Sequence, residues 1–430
     1  MAQLAFFGMQ TTDTIVAGRL GPEVLAGVAL GGILLMVGFT FLLGFAFAVT
    51  PGVAQRYGAQ RPPEEIGQFL SSALAFSLLL WSVWGLVLWL LPELVLARLP
   101  LEPAVAGEAS RYLRAVALGT PFLGVFFVLR NAVEGLGHSR PIMWLGLAAL
   151  LVNLPLDLIL MHGWGPVPAL GAMGCGLATA LVHSMLALAL ALMFYRQTLF
   201  APFAPRRRPQ RAGAGELGRV GLPLGLALMS EHAIFAVGGL IMTRYGTAEV
   251  AANQVAFNVT GLAFMLALGL GQATSVLVGQ AAGRGSPAAV RRAGALGYAV
   301  TTLVAGAVAV LLYLSADWVS GLYTRDPQVA AVAASFIRIA AAFHVFDALQ
   351  ALGSGALRGI KETAYVLRAT LVAYWLVGGL AYVALLVLRE GSAQAIWWVF
   401  TIALGAAALL LGGRFFSQTK PTSVPTTAPS

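Results

Sequence analysis

Val53 to Gly58 read V-A-Q-R-Y-G, and Val278 to Gly283 read V-G-Q-A-A-G, an offset of 225 positions. Leu20-Gly21 and Tyr245-Gly246 match at the same offset. Glu134 to Ser139, E-G-L-G-H-S, align with Arg358 to Thr363, R-G-I-K-E-T, at an offset of 224. Each of these stretches closes or opens a long apolar run. Matches of this kind at nearly one offset mark a chain built from two halves.

The duplicated material is apolar. Hydrophobic residues make up 59% of the 430 positions and charged residues 10%. A soluble domain has about 45–50% and about 25%, so soluble enzymes and disordered scaffolds are excluded. A membrane-spanning helix takes roughly 20 apolar residues. Runs of that kind lie near 24–49, 68–96, 112–133, 141–161, 170–195, 217–243, 248–280, 290–315, 330–356, 365–388 and 393–413. Residues 1–16 are apolar but short, and they lack the basic start and cleavage site of a signal peptide. They read as the remnant of a twelfth span. Its repeat partner begins near Glu216, so the counterpart would begin about eight residues before Met1 by the repeat. The expectation is that the start of this first helix is missing.

The fold class expected is therefore an all-α polytopic membrane protein, with twelve transmembrane helices in two six-helix lobes. The lobes are 1–195 and 217–416, the linker is 196–216, and 417–430 is a Ser, Thr and Pro tail expected to be disordered and cytoplasmic. Six helices per half give both halves one orientation, about an axis along the membrane normal. The linker region carries Arg196, Arg206, Arg207, Arg208, Arg211 and Arg219 against the single acid Glu216. Basic loops stay in the cytoplasm. Loops on the same side carry Arg56, Arg61, Arg140, Arg284, Arg291, Arg292, Arg358 and Lys361, whereas the opposite loops hold Arg19, Arg98, Arg244, Arg325 and Arg389. Both termini are then cytoplasmic. The net charge of +9 follows from these loops and implies no nucleic acid.

Charge inside the spans is rarer and more informative. Asp13, Asp157, Glu231 and Asp347 interrupt apolar runs. A carboxylate at membrane depth is costly and marks a proton relay or cation site. The plainer reading is a structural carboxyl bonded to a neighbouring helix. Glu231 is deepest, with only Ser230 and His232 as polar company between Leu222 and Gly239. His344 lies one turn before Asp347 on the same face. Gln254 and Asn258 share one face of the eighth span, as cavity lining or as hydrogen-bond glue between helices. Pro51, Pro121, Pro155 and Pro223 fall in or near spans. They either open helices around a cavity or mark helix starts.

Several absences bear on function. There is no G-x-x-x-x-G-K-[ST] phosphate loop, so ATP is not the energy source. The lone Cys175 excludes an internal disulfide and a clustered thiolate metal site. The five histidines show no H-x-x-x-H pairing. No Ser or Cys nucleophile has a recognisable base, so neither enzyme activity nor a cofactor is expected.

The ordered motifs T-D-T-I-V-A-G (Thr12 to Gly18), V-A-Q-R-Y-G-A (Val53 to Ala59) and E-G-L-G-H-S-R-P (Glu134 to Pro141) cover the first half with V-N-L-P-L-D (Val152 to Asp157) and G-A-M-G-C-G-L-A-T-A (Gly171 to Ala180). V-A-A-N-Q-V-A-F-N (Val250 to Asn258) and G-A-L-R-G-I-K-E-T (Gly355 to Thr363) follow in the second. With these the chain resembles the multidrug and toxic compound extrusion (MATE) family, most closely its NorM-like branch. The resemblance implies a secondary antiporter that exports lipophilic cationic drugs or toxins in exchange for H+ or Na+. It implies coupling acids at Asp13, Glu231 and Asp347. Asp157 falls where NorM-like members often have Asn and other branches Asp. Sodium-coupled members tend to carry a Tyr four residues before the last acid, and here that residue is Phe343. This departure favours H+, with Glu231 and Asp347 as metal ligands only under Na+ coupling. Gln254, Asn258, His344 and Phe343 are the expected substrate-cavity residues. The expected partners are the substrate and membrane lipid, and the expected state is a monomer. A lipid-linked saccharide flippase is the alternative, but it calls for cavity arginines. A polytopic membrane enzyme is a further one, and calls for acids in an external loop.

Overall fold

The computed structural model describes residues 2–98, 100–388 and 392–420. Helices dominate because a lipid-facing backbone must satisfy its polar groups internally. In order they are α1 (Ala2–Gly18), α2 (Pro22–Gly58), α3 (Pro63–Leu94), α4 (Pro103–Gly135), α5 (Arg140–His162) and α6 (Ala172–Arg196). The second series is α7 (Arg211–Met242), α8 (Thr247–Gly283), α9 (Pro287–Tyr323) and α10 (Pro327–Gly359). Then α11 (Thr363–Leu371) runs through a π-helical turn, Val372–Gly378, into α12 (Gly379–Leu388), and α13 (Ala393–Gln418) follows. Eleven spans among the described residues are long and apolar enough to cross a membrane, α11 to α12 counting as one. α1 precedes them. The protein is an all-α polytopic membrane protein. Leu151, Leu303, Leu314 and Leu409 stand exposed on helix exteriors, as lipid-facing residues should. α13 extends to Gln418; Pro421 to Ser430 and Arg389 lie outside the described residues.

Helix starts follow local chemistry. Pro63, Pro103, Pro287 and Pro327 occupy first helical positions, where a missing N–H costs nothing. Ser286 Oγ accepts from the Ala289 N–H at 3.3 Å, and Asp326 Oδ1 accepts from the Gln328 and Val329 N–H groups at 2.8 and 3.3 Å. Both are N-caps.

The internal repeat is written into the backbone. α2 and α8 start 225 positions apart, α3 and α9 224, and α4 and α10 224. The turns between them repeat in conformation as well. Gly21 (φ 123°) matches Gly246 (φ 126°), Gln60 (φ 52°) matches Gly285 (φ 69°), and Gly137 (φ 88°) matches Lys361 (φ 62°). Positive φ is strained for any residue with a Cβ, yet Gln60 and Lys361 adopt it where their repeat partners are glycine.

By packing, the chain divides into two compact units, residues 1–53 with 61–229, and residues 54–60 with 230–430. The division cuts α7 between Met229 and Ser230. In the first unit, Val16, Val28, Leu88, Tyr112, Met161 and Cys175 share a core. There α2 and α7 cross at glycines: a Cβ on Gly44 would lie 2.1 Å from the Gly225 nitrogen. In the second, Phe336, Phe343, Tyr374, Trp397 and Phe400 form an aromatic core. Its segment 54–60 meets the end of α8 through repeat partners. A Cβ on Gly58 would lie 2.1 Å from the Gln280 carbonyl oxygen, and a Cβ on Gly283 2.1 Å from that of Gln55. Gln55 Nε2 also donates to the Gly359 carbonyl at 2.8 Å.

Gly283→Val should therefore force backbone apart at this crossing and lower stability by more than about 2 kcal/mol. Gly306→Val, where a Cβ meets nothing within 4 Å, should leave thermal melting in detergent within a degree or two of the parent. Equal melting of the two variants would refute the crossing as a structural requirement.

Candidate functional site

In the first unit, three helices bring polar groups to one point. α1 supplies Asp13, α5 supplies Asn153 and Asp157 one turn apart, and α6 supplies Cys175 and Thr179 one turn apart. Ligand atoms of Asp13, Asp157 and Cys175 all lie within 4.8 Å of one another. Thr179 Oγ1 donates to Asp13 Oδ2 at 3.4 Å, and Asn153 faces Asp13 as well. Asn153, Asp157 and Cys175 are fully buried, and Asp13 is half-buried. Pro155, between the two polar residues of α5, lies inside the helix. It has no N–H to offer the preceding turn.

These groups are under-satisfied. Both Asp157 oxygens, both Asn153 amide atoms and Asp13 Oδ1 lack hydrogen-bond partners. Buried polar atoms are rarely left so without a reason. Two carboxylates within 4.8 Å, both ionised, would repel by roughly 3.5 kcal/mol at an effective dielectric near 20. A proton or a cation between them removes that cost.

In the second unit, Glu231 on α7 is buried, and Gln350 Nε2 of α10 donates to its Oε2 at 3.4 Å. Asp347, one turn before Gln350, is buried close enough for the Glu231 charge to act on it. His344 is buried on the same helix with Nδ1 unpartnered. The Tyr374 hydroxyl, fully buried in the π-turn, has no hydrogen-bond partner either, and both acids act on it. Its neighbour Trp375 donates Nε1–H to Ser230 Oγ at 2.7 Å, tying the π-turn to α7 beside Glu231.

The acids expected from sequence thus fall into two groups, Asp13 with Asp157 and Glu231 with Asp347, each inside one unit. His344 lies on α10 one turn before Asp347. Phe343 sits in the aromatic core, 5.5 Å from the Trp397 ring and 6.0 Å from that of Phe235. Gln254 and Asn258 are exposed along one face of α8, while the adjacent Asn253 is buried. Sequence reading missed Asn153, Cys175, Thr179, Gln350 and Tyr374 as site members. The one-turn spacing of Asn153 to Asp157 and of Asp347 to Gln350 could have revealed two of them. Nothing in the sequence announces the π-turn that presents Tyr374.

The MatE family profile matches residues 1–159 and 223–383. The chain belongs to the MATE family. It is 37% identical over 381 residues to multidrug resistance protein PmpM of Pseudomonas aeruginosa, covering 88% of this chain and 80% of that one. It is 36% identical over 406 residues to the probable multidrug resistance protein NorM of Xanthomonas campestris pv. campestris, covering 94% and 88%. Among solved structures it resembles the eukaryotic MATE transporter AtDTX14, with a TM-score of 0.87 at 20% identity, covering 97% and 94%. A MOP superfamily transporter from Pyrococcus furiosus gives a TM-score of 0.88 at 20% identity, with the same coverage. At such identities the structural likeness speaks for the fold. The MATE family consists of transporters rather than enzymes, which leaves the membrane-enzyme alternative without support.

In this MATE protein the bond from Trp375 to Ser230 is a local tie. Trp375→Phe should cost about 1 kcal/mol, seen as a melting temperature a few degrees lower. Trp318→Phe, at an exposed position on α9, should melt with the parent.

Proposed function

We propose that this protein is a multidrug exporter that exchanges lipophilic organic cations for an inward-moving ion by alternating access. The observation that carries this reading is the two acidic pairs, half-buried Asp13 with buried Asp157 and buried Glu231 with buried Asp347, one pair in each unit. The names of PmpM and NorM as multidrug resistance proteins support it. A buried carboxylate holds an incoming proton or a cationic substrate, and not both at once. That exclusivity is the chemistry an antiporter needs. Every tenfold ratio of proton activity supplies about 1.4 kcal/mol per proton moved.

We favour H+ as the coupling ion. Phe343 offers no oxygen to a sodium shell, and its ring is locked among Phe235, Trp397 and Phe400. His344 supplies an unpartnered imidazole nitrogen one turn from Asp347, and acids with histidines at membrane depth are the usual parts of a proton relay. Under Na+ coupling, Glu231 and Asp347 would be the metal ligands. The substrate is read as cationic because the buried groups at both sites are acids. Gln254 and Asn258 are offered as substrate contacts from the exposed face of α8. The working bodies are the lobes 1–195 and 217–416, joined by the basic linker 196–216. The protein is placed as a monomer in the bacterial inner membrane, in contact with lipid and with both termini cytoplasmic. A flippase for lipid-linked saccharides is less favoured. The buried Arg130 bonds to Glu134 at 3.1 Å, and Arg358 bonds to Ser275 at 3.2 Å.

Glu231→Gln and Asp347→Asn keep shape and remove charge. Each should abolish uphill export of an ethidium-like cation while membrane insertion persists; parental rates in either variant would remove that residue from coupling. In proteoliposomes of the parent, a proton gradient alone should drive export. Anionic dyes of similar size should compete poorly. Export driven by a Na+ gradient at equal pH, and stopped by removing Na+, would overturn the proton assignment.

A further inference from the structure

A surface ion pair recurs across the repeat. Arg338 on α10 pairs with Asp317 on α9, and Arg114 on α4 pairs with Glu93 on α3 at 2.8 Å. Arg338 follows Arg114, and Asp317 follows Glu93, at the same offset as the helices that carry them. An aromatic residue one turn before the acid recurs with them, Tyr313 in one half and Trp89 in the other. The Arg114 guanidinium lies 5.9 Å from the centre of the Trp89 ring. Exposed ion pairs contribute little to stability, and the buried centres of the two units have diverged. A cation, an acid and a ring present in both halves at an exposed place point to a ligand outside the protein.

In the second unit this trio opens onto a groove of about 550 Å³ between α9, α10 and α13. Ala309, Ala341 and Ala342 leave the space, Tyr313, Leu314 and Trp398 wall it, and Arg338 brings charge to it. Leu314 and Trp398 are exposed, so the groove faces outward to lipid. α9 has 37 residues, a length of about 55 Å against a hydrocarbon layer of about 30 Å. Asp317 lies about 9 Å before its end at Tyr323. That depth is the headgroup boundary, where Trp and Tyr collect, and Tyr313, Trp318 and Tyr323 are exposed along this end of α9. From Arg338 the lining runs along α10 to Val345, away from that end. Charge at the boundary with an apolar groove beneath it is the outline of an amphiphile.

We propose that this groove binds one membrane phospholipid with a phosphoethanolamine head. An acyl chain lies in the groove, the phosphate on Arg338 and the ammonium on Asp317. The ion pair decides the head. A guanidinium has five N–H donors, and Arg338 directs only its Nη2 to Asp317, which leaves donors for phosphate oxygens. The Asp317 side chain is 76% exposed, so its carboxylate is open to an ammonium. A phosphoglycerol head brings net negative charge to that carboxylate, which repels it. A phosphocholine head carries its positive charge with no N–H to donate. The proposal makes specific the lipid contact given above and does not depend on antiport.

The test uses the purified full chain, delipidated in detergent, with three synthetic phospholipids of identical acyl chains and phosphoethanolamine, phosphocholine or phosphoglycerol heads. Native mass spectrometry counts the lipids retained. An Arg114→Gln background silences the trio of the first unit. In that background the phosphoethanolamine lipid should be held more than about tenfold better than the other two. Asp317→Asn should erase the preference, and Arg338→Gln should weaken retention of all three. Ala342→Phe fills the groove, leaves both charges, and should weaken retention of the phosphoethanolamine lipid by more than about tenfold. Arg61→Gln, at an exposed cation in a loop, should match the background. Asp317 is so exposed that its Asn variant keeps the test decisive where another variant folds poorly. Equal retention of the three heads, or a preference unchanged in Asp317→Asn, overturns the site. Retention is read without transport, so a protein that holds the phosphoethanolamine lipid and fails to export cations would keep the site and remove the antiport reading.

Discussion

Asp157 is sealed from solvent with no hydrogen bond on either oxygen. Left ionised and unpaired, a carboxylate in such surroundings would cost several kcal/mol, so the helices around it must shelter it together with a proton or a cation. The packing of the first unit answers this demand. α1, α5 and α6 converge on the carboxylate, and Tyr112, Met161 and Cys175 close the core around them. The second unit meets the same demand by other means. Glu231 takes a hydrogen bond from Gln350, and an aromatic core fills the same unit. Helices that would otherwise be interchangeable apolar rods acquire a required arrangement because they must shelter these groups.

That arrangement depends on turns more than on spans. Apolar helices slide easily against one another, since lipid tails are as apolar as leucine. The fixed points are the glycine crossings and the positive-φ turns. Gly58 against Gln280 and Gly283 against Gln55 lock two helix ends at backbone contact. The turns at Gly21, Gln60 and Gly137 recur at Gly246, Gly285 and Lys361. Those same stretches carried the repeat in the sequence, and this is why the fold could be read there. A tight turn restricts which residues fit, and such restriction leaves a legible trace. The interiors of the spans, where many apolar residues serve equally, leave almost none.

The sites were legible to a different depth. The four acids stood out because charge inside an apolar run is rare. Their partners did not, because a polar residue of ordinary type becomes significant only when another helix brings it to an acid. Gln350 and Thr179 are of this kind. Tyr374 is harder still, since its placement beside Glu231 depends on a π-turn whose residues, V-A-Y-W-L-V-G, read as ordinary span. Gln254 and Asn258 show the converse. Helical spacing puts them on one face, but spacing alone does not say whether a face meets a core or lies exposed.

The two units therefore share a backbone plan and differ in the chemistry at their centres. The first groups two carboxylates with a thiol, an amide and a hydroxyl. The second groups two carboxylates with an amide and a phenol. Duplication fixes turn geometry and helix order together, because a change in either disturbs every helix downstream. A side chain in a sheltered site is constrained only by its immediate neighbours. A thiol and an imidazole can thus occupy separate halves of one scaffold. Equivalent shelters need not hold the same ion, and the repeat that makes the fold readable gives no licence to copy a site from one half to the other.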